Sequence, residues 1–356
     1  MKKSLLLLAV VGVIGLLVLT QRSAILTRVM ERGIEARLGA DHIETLPDGL
    51  HLSLCGAGGP LAAPNASGPC VAVVAGQSLY VVDAGTDGIR NLTRLGYQPG
   101  TIRAVLLTHF HSDHIDGLGE IATLRWAGGG SKTPLPVYGP RGVERIVNGF
   151  NQAYAQDFQY RHDHHGDLVA DLAGAGMTAR PFEQPPMGQL VTVLRDGDLT
   201  IEALRVEHAP VDPAVGYRFS YKGRTLLITG DTKKSVNIQT FAQGVDLLVH
   251  EALAPNLVNM MNAAAEKSGN AVMAKVTHDI LDYHASPVEA AETARDAQVG
   301  HLLYYHIVPP LVIPGQKSLF LNGAQDIFSA YTIGQDGTSF SLPANSKEII
   351  KTQDGL

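Results

Sequence analysis

The sequence predicts an α/β protein whose functional side chains gather where strands end. Two observations predict this. Short apolar runs recur, and each leads to a His or Asp: Arg103–Thr108 before His109, Leu199–Val206 before His208, Leu226–Gly230 before Asp231, and His301–Tyr305 before His306. Runs of this length, rich in Val, Ile and Leu and bounded by turn residues, read as strands. Between them lie helix signals, and 38 Gly and 19 Pro supply turns in a chain that is 45% hydrophobic and long enough for a large core. Loops at the ends of strands in such folds commonly carry chemistry.

Taken in order, the chain opens with Lys2-Lys3 and an apolar run from Ser4 to Thr20. This predicts an N-terminal membrane anchor or signal peptide over residues 1–24. Arg22 stands where cleavage would need a small residue, which favours an uncleaved anchor. The expected location is the cell membrane facing the periplasm, or the periplasm itself if the segment is removed. Charges at helical spacing predict a linker helix over 25–45. A catalytic domain is expected over 46–345 and a polar, frayed tail over 346–356. Cys55 and Cys70 either bridge or remain buried thiols.

Within the domain, Ile115 to Trp126 reads as a helix with Ser112 at its N-cap. A further helix is expected from Val143 to about Tyr154. Residues 150–190, with Phe158-Gln-Tyr-Arg-His-Asp-His-His-Gly166 and Pro181, Pro185 and Pro186, read as an insertion covering the site. There His162, His164 and His165 are expected to line the substrate pocket or bind an accessory metal. Ser286-Pro-Val-Glu289 is a capping box, and its helix should run to about Gln298, stopped by Gly300.

The most informative segment is Thr108-His-Phe-His-Ser-Asp-His114. His109 and His111 alternate, so at a strand end both rings can converge on one ion. Asp113 and His114 begin the next helix and can reach a second. Neutral imidazoles and carboxylates at this spacing suit divalent metals.

His109-x-His111-x-Asp113-His114, followed by His208, Asp231 and His306, resembles the metallo-β-lactamase superfamily. Ser53–Pro60, His250-Glu251-Ala252 and His284-Ala-Ser-Pro287 further resemble its ribonuclease Z and arylsulfatase-like phosphodiesterase branch. The resemblance implies an αββα sandwich, two packed mixed β-sheets flanked by helices. It implies that His109, His111 and His208 hold one ion, that Asp113, His114 and His306 hold the other, and that Asp231 bridges them. Two Zn²⁺, with Mn²⁺ or Fe²⁺ as substitutes, would share a hydroxide and clamp a substrate oxygen. Asp113 would orient the hydroxide, His284 would protonate the departing oxygen, and Glu251 would fix the His284 tautomer. Enzymes of this fold that open β-lactams usually carry Cys or His at the Asp231 position, which argues against that activity.

The formal net charge is −6, and no Lys/Arg cluster offers the basic footprint that binding a long nucleic acid normally needs. The expected partners are therefore a small anionic ester and the membrane, with nucleic acid disfavoured and a homodimer left open. The expected function is a dinuclear phosphodiesterase acting on small substrates. The alternatives are an arylsulfatase, ribonuclease Z-type RNA processing, and lactone or thioester hydrolysis. An electron-transfer di-iron protein would need a carboxylate at His111.

Overall fold

The computed structural model describes residues 21–36, 38, 40–64 and 66–356. They belong to two units, Met1–His42 and Ile43–Leu356. In the first, residues 21–36 are helical, earlier than the expected linker helix. The apolar run from Ser4 to Thr20 lies outside the described residues. No helix among the described residues is long and apolar enough to cross a membrane.

Among the described residues the second unit holds fifteen strands. They are β1 (Gly49–Gly56), β2 (Cys70–Ala75), β3 (Ser78–Val82), β4 (Ile102–Leu106), β5 (Leu135–Pro140) and β6 (Met177–Phe182), then β7 (Leu190–Asp196), β8 (Leu199–Arg205), β9 (Val215–Tyr221), β10 (Arg224–Ile228), β11 (Leu247–Leu253), β12 (His301–Val308), β13 (Tyr331–Ile333), β14 (Thr338–Pro343) and β15 (Ile350–Asp354). One sheet runs β15-β14-β1-β2-β3-β4-β5-β6 and the other β13-β12-β11-β10-β9-β8-β7. Both are mixed: β3 to β6 pair in parallel, as do β10 to β13, and the remaining pairs are antiparallel.

Alternation along the strands sorts side chains into layers. Leu52, Val73, Val82 and Leu106 of the first sheet share a core with Ile201, Phe219, Ile228 and Val249 of the second. The intervening residues Ala72, Val81 and Val105 pack instead with Ile89, Leu118 and Ile121 from outer helices. On the far side, Leu227, Leu248 and Leu302 pack with Ala290, Ala291 and Ala294. The molecule is thus an αββα sandwich. The helix Pro287–Asp296 carries the expected capping box, with Ser286 accepting from the Glu289 backbone and Pro287 at its first position. It ends two residues early, at Asp296, and Gln298 rather than Gly300 takes the left-handed conformation.

Four other local expectations are corrected. The segment after His111 breaks into Ser112–Ile115 and Leu118–Thr123, and His111, not Ser112, holds the N-cap position. The helix from Val143 continues to Ala170, with a non-helical residue at Gly166, so Phe158–His165 is helix and not an inserted loop. The next stretch supplies β6, a regular member of the sheet, which removes the basis for a 150–190 insertion. The tail is also ordered: β15 pairs antiparallel with β14. Cys55 and Cys70, on neighbouring strands β1 and β2, form a disulfide.

Candidate metal centre

The parallel strands β3 and β4 point their C-terminal ends to one edge of the first sheet, and β8 and β10 do the same in the second. The residues following these ends meet. Ligand atoms of His109, His111, His208 and Asp231 lie within 4.8 Å of one another, and so do those of Asp113, His114 and His306. A third group joins Asp231, His284 and His306. Each of the first two groups draws residues from both sheets.

Asp231 stands between the groups. Its Oδ1 lies 3.5 Å from His114 Nε2. Its Oδ2 lies 3.3 Å from His306 Nε2, 3.8 Å from His208 Nε2 and 3.9 Å from His109 Nε2. Gly230 makes this placement possible: its φ is +63°, and a Cβ there would lie 2.9 Å from Thr108 Cβ. His109, His114, His208, Asp231 and His306 are buried, while His111 and Asp113 are partly open. Buried polar atoms normally have partners, yet His114 Nε2, His208 Nε2 and Asp231 Oδ1 have none within the protein. These inward-facing nitrogens and oxygen fit divalent cations.

Outer partners fix the rings. His208 Nδ1 donates to the Tyr283 carbonyl at 2.9 Å. His114 Nδ1 donates to Asp83 Oδ2 at 2.8 Å. Asp83 also accepts from Thr108 N and Thr108 Oγ1, each at 2.8 Å. Such partners set the tautomer that leaves the other nitrogen for a metal. Asp83 was not singled out from sequence, although it follows the apolar strand β3 just as Asp231 follows β10.

Burial pushes the His109, His111 and His208 imidazoles below their usual pKa, so these rings are neutral and able to ligate. Burial opposes ionisation of Asp231, but His306, His114 and His109 hold its carboxyl well below the usual range. Burial likewise opposes a proton on His114, but Asp231 and Asp83 override it.

His284 Nδ1 donates to Glu251 Oε1 at 3.0 Å, and its ring stacks beside His306 with centroids 5.7 Å apart. Burial opposes a charge on His284, but Glu251 and Asp231 raise its pKa to about 9. Glu251 Oε1 also accepts from Thr232 N at 3.0 Å and Ala285 N at 3.1 Å, which ties it to the residue after Asp231.

The three mid-chain histidines are elsewhere. His162, His164 and His165 sit on the Val143–Ala170 helix and join none of these groups. His164 and His165 are exposed, and His162 Nδ1 bonds the Ala170 carbonyl at 3.1 Å. They lie on a helix and stand outside both ligand groups.

A family model described as the metallo-beta-lactamase superfamily matches residues 64–300. A protein named Ribonuclease Z from Mycobacterium bovis (strain BCG / Pasteur 1173P2) is 33% identical over 290 residues, covering 81% of this chain and 96% of that protein. Another of that name from Mycolicibacterium paratuberculosis is 32% identical over 289 residues, with the same two coverages, 81% and 96%. Among solved structures, human tRNase Z, short form, superposes with a TM-score of 0.58 at 20% identity, covering 82% of this chain and 99% of that one. The metallo-beta-lactamase fold protein YhfI from Bacillus subtilis gives 0.56 at 21% identity, covering 83% and 100%. At such identities the structural likeness carries the fold alone.

Two expectations are overturned by these matches. Nucleic acid was disfavoured on net charge, but the relatives that span most of the chain are named Ribonuclease Z. Net charge sums the whole surface, whereas an RNA contact needs only local groups. The periplasm-facing, membrane-tethered location rested on residues 1–24, and the relatives named Ribonuclease Z stand against it.

Proposed function

This chain belongs to the metallo-beta-lactamase superfamily, and we propose that it is a phosphodiesterase of the ribonuclease Z type, cleaving RNA. It is a metal-dependent hydrolase of ester bonds. The finer reading rests on the Glu251–His284 pair: the 3.0 Å bond takes His284 Nδ1 and leaves Nε2 to give a proton, on a ring grouped with Asp231 and His306. A ribose alkoxide is a poor leaving group and needs that proton, whereas the phenolate of an aryl sulfate departs without it. The pair therefore favours a ribose phosphodiester over an aryl sulfate.

In this reading His109, His111 and His208 hold one divalent ion, Asp113, His114 and His306 hold a second, and Asp231 serves both. Two Zn²⁺ suit a set of imidazoles and carboxylates without thiolate. Bound ions supply Lewis acidity and bring water into reach of deprotonation near neutral pH. The chain's own groups do the rest. Asp113, partly open to solvent, orients the attacking water. Asp83 and the Tyr283 carbonyl keep His114 and His208 in the ligating tautomer. Glu251 holds His284 Nδ1–H, so that Nε2 faces the departing oxygen.

The same pair would serve the alkoxide of a small phosphodiester, and hydrolysis of such substrates is the second reading. One experiment tests both: zinc- and manganese-loaded protein is offered a 3′-extended structured RNA, a bis-aryl phosphate and an aryl sulfate. Cleavage of the RNA at a defined linkage supports the first reading. Turnover of the bis-aryl phosphate without RNA cleavage supports the second. Turnover of the aryl sulfate alone would defeat both.

A further inference from the structure

His306 reaches the centre through a distortion of β12. Along β11, Glu251 pairs with Tyr305 and Ala252 pairs with Ile307, so His306 is the extra residue of a β-bulge. Its φ is +44°, a left-handed conformation that a residue with a Cβ takes only under constraint. Bulges re-aim side chains, and the backbone beyond this one is held on both flanks. One flank is β11. On the other, β13 pairs with β12 only as far as Tyr304, and the segment after β1 takes over: Ile307 N donates to the Ala57 carbonyl at 3.1 Å, and Gly58 bridges to Ile307. Gly59 then lies against the ring itself, where a Cβ would stand 3.0 Å from His306 Cε1.

Ala57–Gly59 is held in turn from the β13–β14 turn. Asp336 Oδ1 accepts from Ala57 N at 2.9 Å, and its Oδ2 accepts from Ser67 N and Asn91 Nδ2, each at 2.9 Å. The two hydrogens of Asn91 Nδ2 are shared between Asp336, the Cys55 carbonyl and Ser67 Oγ, the last two also at 2.9 Å. Asp336 and Asn91 are both buried. A carboxylate holding three N–H donors, two of them buried, is a strong, directional clamp.

We propose that Asp336 is a positioning residue for His306: with Asn91 it fixes Ala57–Gly59, the segment that closes the open flank of the bulge. The amide of Ala57 is held by Asp336 while its carbonyl holds the peptide that follows His306, so the constraint passes through one residue. The inference rests on His306 being a metal ligand.

The test is zinc binding by the full-length protein, measured by competition with a chromophoric chelator and without substrate. His306→Ala identifies the binding step that depends on His306. Asp336→Ala should weaken that same step roughly 10-fold or more and leave the other unchanged. Asp336→Asn keeps the size of the side chain and one acceptor oxygen, and should weaken the same step by a smaller factor. If Asp336→Ala does not fold, Asp336→Asn decides. Equal weakening of both steps, or none, would overturn the positioning role. Full zinc binding by His306→Ala would instead defeat the ligand reading on which the inference rests.

Discussion

Replacing Glu251 by Gln should move the pH dependence of turnover without emptying the centre. Glu251 Oε1 takes three donors, Thr232 N, His284 Nδ1 and Ala285 N, at 3.0 to 3.1 Å. A Gln carbonyl oxygen in that place keeps all three. The amide nitrogen then occupies the site of Oε2, which has no partner in the buried interior; an unpaired group there costs stability about 1–3 kcal/mol. The larger effect is on His284. Its rise from 6.5 to about 9 corresponds to about 3 kcal/mol of preference for the imidazolium, at about 1.4 kcal/mol per pH unit. Burial works against that proton, and Glu251 is the leading group that keeps it on. A raised pKa keeps the donor protonated to higher pH, so the alkaline limb of kcat/KM marks its loss. Without the Glu251 charge this limb should fall by about 1–2 pH units. Bound cations lower the limb in parent and variant alike, so the difference between them survives. The assay is the pH profile on an alkyl phosphodiester, with metal content measured at each end. A bis-aryl phosphate should show little of the shift, because its leaving group needs no proton. Coincident limbs in parent and variant would refute the proton-donor pairing.

Three further outcomes follow from the geometry. Asp231→Ala should release both ions together, since its two oxygens face both ligand groups; metal analysis showing one ion retained per chain would show that Asp231 serves only one group. Asp83→Asn should weaken the ion held by His114 roughly 10–100-fold. The amide nitrogen opposite His114 Nδ1 would favour the tautomer with hydrogen on Nε2, and titration with zinc reads the change. His301, half-buried beside Thr332, is held by burial and by Lys351 at a pKa of about 4, below its ordinary 6.5. The unfolded chain takes the proton first, so stability should fall as pH drops from 6.5 to 4, by at most about 3 kcal/mol and about half that after solvent screening. Urea midpoints measured in chelator at pH 7 and 4.5 should draw closer together in His301→Gln.

What was legible in the sequence follows the range of the interaction that decides it. The strands before His109, His208 and Asp231 are apolar runs with turn residues after them, and the capping box at Ser286 is a three-residue rule; these are local and appear where they were expected. The run Phe158–Gly166 misled because polar residues on an exposed helix resemble a loop in composition. Only the unbroken periodicity from Val143 distinguishes them. The tail misled for a related reason. Every residue of β15 is exposed, so no apolar pattern marks it, and its order comes from pairing with β14. Asp83 was legible by the same strand-end rule that found Asp231, but nothing nearby in sequence points to His114, 31 residues on.

The His306 bulge marks where sequence reasoning stops. The run His301-Leu-Leu-Tyr-Tyr-His306 reads as a strand ending in a histidine, whereas β12 continues to Val308. In a regular strand, alternation would place His306 on the same face as Leu302 and Tyr304, which pack against the outer helices. The bulge reverses that, and the ring turns to the rim where Asp113 and Asp231 wait 3.4 and 3.3 Å away. Neither His306 nor its neighbours in the chain encode the reversal. In the proposal above it depends on contacts from Ala57, about 250 residues earlier, and on Asp336, which holds the Ala57 amide. A ligand set can thus be assembled from motifs that look individually ordinary, because part of the information that aims them lies in backbone hydrogen bonds between distant segments.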